Sequence, residues 1–297
     1  MTGLRYEQCV CEFDDAAVDS APSGTSSAAM DALAAAIEAR LAVPGLAIVP
    51  GNKLQELSDR DLSAWFKGLA CLLGTLVPQN LAGETLVEIA AQAGDAKSLR
   101  GYQTSESMLL HSDASDVAAL LCLSPAEQGG INLFVQARTV HDEIAAIRPE
   151  LVGEYFEPWR WNVLNLGLTG SNAELISPIF SVHAGKLSCR YGSYFLRSAG
   201  NEAHPLTPLQ LEALDVFEAV TRRQDLLLRY RLRRGDSVWM NNYTLLHGRE
   251  AFQDAGATPR RYQRCWIRSR TPPNVGASFA VFDATILAHY AEKWQAD

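Results

Sequence analysis

The feature that most limits how this chain can fold is a short apolar run, Ala118–Leu123 (AALLCL), closed by the breaker Ser-Pro-Ala-Glu-Gln-Gly-Gly. Such a run is too brief for an ordinary helix and reads as a buried strand that ends in a turn. The sequence keeps this character after Leu110. Leu226, Leu228, Tyr230 and Leu232 alternate with Leu227, Arg229, Arg231 and Arg233, the two-residue period of a half-buried strand. Gly235-Asp236 then turns the chain into a further extended stretch, Ser237–Tyr243. At 297 residues, without internal repeat, low-complexity tract or convincing linker, the chain can close such strands into one β-barrel or sandwich with helical decoration.

Helices are signalled by their caps. An alanine-rich helix is expected from about Ser27 to Leu41, followed by a short buried strand within Gly45–Gly51. Ser58 with Asp61 opens a second helix whose stripe carries Trp65, Leu69 and Leu73. Thr207-Pro208-Leu209-Gln210 opens another, running to about Arg223. His141 falls in a helical segment, TVHDEIAAI. Residues 1–25 are weakly patterned and, with SAPSGTSSA, read as a flexible lead-in, and 26–297 as one domain.

Charge narrows the partners. A net charge of −8 and a pI near 5.3 argue against nucleic-acid binding. No apolar stretch reaches the roughly 20 residues of a membrane span, and the acidic N-terminus lacks the layout of a secretory signal, so a cytoplasmic protein is expected. Twelve of the 21 arginines lie between Arg222 and Arg270. Most should sit on solvated faces, while a few could point inward to grip small anions. The Arg222–Arg234 cluster could also dock an acidic carrier protein. Six scattered cysteines give no zinc spacing and no disulfide framework, and Cys71, Cys122 and Cys265 read as small buried hydrophobes.

The chemistry begins at His111-Ser112-Asp113. In an extended segment, side chains two apart share a face, so imidazole and carboxylate can reach one metal. A distant histidine, His247, would close a two-nitrogen, one-oxygen facial set that leaves positions open on iron(II). Alone the tripeptide is a weak signal. Two further segments strengthen it: Gly235–Arg249 (GDSVWMNNYTLLHGR), and Arg260–Ile267 (RRYQRCWI), which begins thirteen residues after His247. In the second, Arg260, Tyr262, Arg264 and Trp266 share a face. A buried arginine needs a partner, and its planar fork suits a carboxylate.

With RGYQTSESMLLHSD and LLCLSPAEQGGIN in the same order, these motifs resemble the clavaminate synthase-like, taurine dioxygenase/TfdA superfamily of Fe(II)/2-oxoglutarate oxygenases, over roughly Gly45 to Trp266. The resemblance implies an α+β, mainly β fold with a double-stranded β-helix (jelly-roll, cupin-like) core and flanking helices. It implies that His111, Asp113 and His247 ligate Fe(II), that Arg260 binds the distal carboxylate of 2-oxoglutarate, and that O2 is the oxidant. Asn132 stands where relatives often carry threonine or serine, and its amide could donate to the co-substrate. Arg264 holds a position that in some relatives grips an acidic group of the substrate. The implied reaction couples decarboxylation of 2-oxoglutarate to oxidation of an unactivated C–H bond. Because Asp113 keeps the carboxylate that halogenases of this chemistry lack, hydroxylation, desaturation or cyclisation is expected.

The substrate pocket is expected to include Gln79, Asn80, Tyr102, Gln103, Met108, Arg190 and Tyr191, with Arg190 as a second anion clamp; core packing is the competing reading for Tyr191. The substrate itself should be a small anionic or zwitterionic metabolite, such as an amino acid or a natural-product intermediate. Three other readings stand beside this one: a carrier-protein- or peptide-tethered substrate, a zinc hydrolase on the same ligands, and a non-catalytic ligand-binding barrel. The oligomeric state is not legible.

Overall fold

The computed structural model describes residues 3–18, 27–92, 103–163, 174–200, 204–254, 259–271 and 273–295. In chain order the first elements are α1 (Tyr6–Cys9), α2 (Ala28–Ala42), β1 (Leu46–Val49), α3 (Asp59–Leu73), β2 (Gly74–Val77), β3 (Leu86–Ile89) and β4 (Met108–His111). Next come β5 (Val117–Ser124), β6 (Gln128–Gly129), β7 (Asn132–Gln136), α4 (Ala137–Ile147), β8 (Trp159–Asn162) and β9 (Glu174–Ser177). They are followed by β10 (Phe180–His183), β11 (Lys186–Cys189), α5 (Ser193–Arg197), α6 (Pro208–Thr221) and β12 (Leu228–Tyr230). The chain closes with β13 (Ser237–Asn241), β14 (Leu245–Arg249), β15 (Phe252–Gln253), β16 (Arg261–Ser269) and α7 (Ala277–Gln295).

Two antiparallel sheets form the framework. One runs β1-β13-β5-β16-β2, with β3 also on β16; the other runs β12-β7-β14-β4. The first sheet is buried on both faces, and the alternation of its side chains sorts them into two cores. Ala47, Val49, Val117, Ala119, Leu121, Trp239, Cys265 and Ile267 pack with Leu33, Ile37, Trp65, Phe66 and Leu69 of α2 and α3. Their neighbours Leu46, Ile48, Ala118, Cys122, Val238, Met240, Tyr262 and Trp266 pack with Phe134, Val135, Leu245 and Leu246 of the second sheet. This explains why AALLCL has no polar face: β5 lies between two strands of its sheet and two apolar layers.

The helices start where their caps place them. Ser27 and Ser58 each accept a hydrogen bond from the third residue of the helix they open, Met30 and Asp61. Thr207 and Gln210 form a reciprocal capping box with Pro208 at the first position. The expected half-buried strand is shorter than its alternation, being ordered as β12 over Leu228–Tyr230 only, although Leu226 and Leu232 are buried.

Two expectations change. Residues 3–18 do not behave as a loose lead-in: Leu4, Cys9, Cys11 and Ala17 are buried, and Val10 bridges Ile48 alongside β1. Apolar side chains set among acidic ones supply a docking face that composition alone hides. SAPSGTSSA lies largely outside the described residues, as does Tyr102. Cys71 is exposed, unlike Cys122 and Cys265, because it occupies the outer face of α3.

Candidate active site

β4 and β14 pair so that His111 and His247 stand directly opposite, with a bulge immediately after His247. Their rings lie 4.4 Å apart between centroids. Asp113 follows β4 and turns its carboxylate between them, with Oδ1 4.0 Å from His111 Nε2 and Oδ2 3.6 Å from His247 Nε2. The three donor atoms fall within 4.8 Å of one another, the sole such His/Cys/Asp/Glu cluster among the described residues. Donors of these types within that reach could hold one metal ion.

The protonation states also suit a metal. His111 Nδ1 lies 2.9 Å from the Leu109 carbonyl, which leaves Nε2 as the free lone pair. Burial, then the neighbouring His247, pushes the His111 pKa down to about 4, so the ring is neutral near pH 7. Burial opposes ionisation of Asp113, but Arg264 and the two imidazoles outweigh it and hold its carboxyl far below the usual carboxylate range. Asp113 Oδ2 and His247 Nδ1 are buried without a protein hydrogen-bond partner. Two imidazoles and one carboxylate with an orphaned oxygen together fit a divalent cation.

The ligand-bearing loop is held from behind. Ser112 and Tyr191 exchange hydrogen bonds, Ser112 N–H to Tyr191 O at 2.9 Å and Tyr191 N–H to Ser112 Oγ at 3.1 Å. Asp113 N–H donates to Asn242 Oδ1, and Asn242 Nδ2 donates to Ser115 Oγ. Arg190 donates through Nη1 to the Asp113 carbonyl and through Nη2 to Asp283 of α7. Tyr243 donates its hydroxyl to Asp283 Oδ2 at 2.6 Å and lies 2.9 Å from Asp116 Oδ1. Ser269 N–H donates to Asp116 Oδ2.

In front of the metal cluster is a pocket lined by His111, His247, Asn132, Arg249, Arg260 and Arg264, with apolar walls from Ile89, Met108, Leu120, Phe134 and Met240. Arg260 and Arg264 enter it from β16 and the residue before it, as their shared face requires. Arg260 is 2 % exposed, its guanidinium 3.8 Å above the Tyr262 ring, and its Nε and Nη1 have no protein partner. Gly129 and Gly130 have φ of +70° and +65°, which lets the chain pass close behind this guanidinium: a Cβ on Gly130 would sit 3.8 Å from Arg260 Nε. Arg264 donates from Nε to Gln79 Oε1 at 2.7 Å, and its Nη1 lies 3.7 Å from Asp113 Oδ1.

Of the expected pocket residues, Met108, Asn132, Arg260 and Arg264 reach the pocket, while Gln79, Asn80, Arg190 and Tyr191 do not line it. Gln79 is a brace, donating to Arg264 O and Thr85 O while accepting from the Arg264 side chain. Asn80 builds the following turn through Ala82, Glu84 and its amide. Arg190 is 1 % exposed and committed to Asp283 and the Asp113 carbonyl. Tyr191 stacks on Phe217 at 3.8 Å in the core. For Gln79, Arg190 and Tyr191 the partner comes from a distant segment whose approach no local pattern reveals, whereas Asn80 is held by its own turn. Gln103 pairs with Gln92. His141 bonds Asp142 and packs against Phe156 and Phe180. The residue that sequence reasoning passed over is Arg249. It stands two after His247 on a strand, and that spacing alone puts it on the same face.

Much of the Arg222–Arg234 cluster is neutralised internally. Arg222 pairs with Glu218, Arg223 with Glu143 and Asp225, Arg229 with Glu250, and Arg234 with Asp59. No helix among the described residues is long and apolar enough to cross a membrane.

The sequence profile described as "Taurine catabolism dioxygenase TauD, TfdA family" matches residues 19–266. FR-33289 synthase of Streptomyces rubellomurinus is 32% identical over 232 residues, covering 75% of this chain and 68% of that protein. Uridine-5'-phosphate dioxygenase of a Streptomyces species is 28% identical over 173 residues, 54% of this chain and 61% of that one. Among solved structures, asparagine oxygenase in complex with Fe(II), 3-hydroxyasparagine and succinate superposes with a TM-score of 0.67 at 18% identity, covering 89% of this chain and 94% of the other. That likeness shows the fold, a double-stranded β-helix core with flanking helices, as expected.

Proposed function

Because the chain belongs to the taurine catabolism dioxygenase TauD, TfdA family, and is thus an oxygenase dependent on Fe(II) and 2-oxoglutarate, we propose that it oxidises an unactivated C–H bond of a small, anionic or zwitterionic metabolite. The observation that carries the substrate class is Arg264, a buried cation that lines the pocket beside the metal cluster.

The iron and its keto-acid co-substrate, when bound with O2, supply the oxidising power. The chain's own residues place and protect it. His111, Asp113 and His247 would hold the metal at the wall of the pocket. Arg260 takes the distal carboxylate of 2-oxoglutarate, and Asn132 donates to it from the neighbouring strand β7. Arg264, fixed by Gln79, orients an acidic group of the substrate so that one carbon is presented to the metal. Met108, Phe134 and Met240 keep water from the reacting face. With Asp113 occupying its position as a ligand, the outcome is hydroxylation, desaturation or ring formation. Relatives named for uridine-5'-phosphate and for asparagine act on charged small molecules, and the internal pairing of the arginine cluster favours a free metabolite over a carrier-bound one.

The test is a screen of carboxylate- and phosphate-bearing metabolites for those that stimulate succinate formation by the iron-loaded protein. Arg264→Ala should retain slow, substrate-independent turnover of 2-oxoglutarate while the KM for the stimulating metabolite rises about 10-fold or more. An unchanged KM would remove Arg264 from substrate binding.

A further inference from the structure

Arg249 is 4 % exposed and Arg260 is 2 % exposed, yet among the described residues no carboxylate comes within ion-pair distance of either. Each has two guanidinium nitrogens, Nε and Nη1, that are buried with no hydrogen-bond partner. Both lie against the same ring, Phe252, at 4.6 and 5.0 Å. Arg249 also stands directly opposite Asn132 in the β14–β7 pairing. Its other nitrogen, Nη2, donates to the carbonyls of Thr104 and Glu106, which fixes the plane of the guanidinium and leaves Nε and Nη1 as the donors not taken.

Two adjacent buried cations with four unsatisfied donors are costly unless an anion joins them. We propose that Arg249 and Arg260 form a two-arginine clamp for the distal carboxylate of 2-oxoglutarate, with Arg249 supplying the second set of donors. This rests on the co-substrate reading above and assigns it a residue that the motif alone does not. A carboxylate has lone pairs enough to accept from both guanidiniums. A keto acid without that carboxylate leaves both guanidiniums unpaired, so the clamp selects the dicarboxylate over its monocarboxylate analogues.

The experiment is anaerobic calorimetric titration of the Fe(II)-loaded protein with 2-oxoglutarate and with 2-oxopentanoate, which has the same chain length but no distal carboxylate. Arg249→Gln should weaken 2-oxoglutarate binding about 10- to 100-fold and leave 2-oxopentanoate binding within about twofold. Arg249→Lys, which keeps the charge without the fork, should fall between. If both variants bind 2-oxoglutarate as wild type does, the clamp is refuted and Arg249 serves only to hold the Thr104–Glu106 segment. Equal weakening of both keto acids also refutes it, since that marks a general loss of site geometry. Should Arg249→Gln not fold, the Arg249→Lys ratio of the two affinities decides. Failure of wild type itself to bind 2-oxoglutarate would instead overturn the underlying co-substrate reading.

Discussion

Asp283 offers the sharpest test of how the metal loop is supported. Its carboxylate sits in α7, beyond the end of the family match at residue 266, and receives donors from Arg190 and Tyr243. The Arg190 and Asp283 side chains are 1 % and 6 % exposed, so solvent does little to screen the pair. Replacing Asp283 with alanine leaves a buried guanidinium without its counter-ion, a loss of about 3–5 kcal/mol. That is a large part of a typical stability of about 5–15 kcal/mol. Asp283→Asn, which keeps a hydrogen-bonding oxygen, should cost less. Arg190→Met combined with Asp283→Leu should recover most of the loss, because two apolar side chains need no partner. Urea denaturation of the metal-free protein would give all four stabilities. Iron(II) titration supplies a second readout, since Arg190 also donates to the carbonyl of Asp113. A cost below about 1 kcal/mol for Asp283→Ala, with unaltered iron affinity, would refute the buried pair as a support.

Three further outcomes follow from other features. His111 has a folded-state pKa of about 4 against an ordinary 6.5, so the unfolded chain binds the extra proton first. The metal-free protein should lose stability as pH falls from 6.5 toward 4, and His111→Gln should flatten that slope in denaturation midpoints measured across the range. Thr207→Ala removes the capping box of α6 and should cost about 1 kcal/mol by urea denaturation. Gly51→Ala would place a Cβ 2.0 Å from the Gly235 carbonyl carbon, and a loss of about 1–3 kcal/mol or more is expected in the same assay.

The parts of this architecture visible in sequence are those fixed by neighbours a few residues away. Ser58 and Thr207 declare helix starts through hydrogen bonds within one turn, and Ala118–Leu123 declares a buried strand through composition. The metal cluster was legible because His111 and Asp113 sit two apart and the motif around His247 is specific. That Arg260 and Arg264 share a face is legible from strand periodicity, while their place beside the metal cluster is what the family resemblance implied. Gln79 and Arg190 fall outside the pocket because their orientation depends on Arg264 and Asp283, each remote in sequence, and Tyr191 takes its core-packing alternative on Phe217. The docking of residues 3–18 on β1 was hidden for the same reason.

The pairing of His111 with His247 across β4 and β14 bears on the order of events during folding. Strands so far apart along the chain meet only after a large loop has closed, and such contacts form slowly. A partly folded chain therefore offers iron no complete set of donors, and the ion cannot serve as a nucleus. It acts afterwards as a latch: adding metal should slow unfolding while leaving the refolding rate where it was.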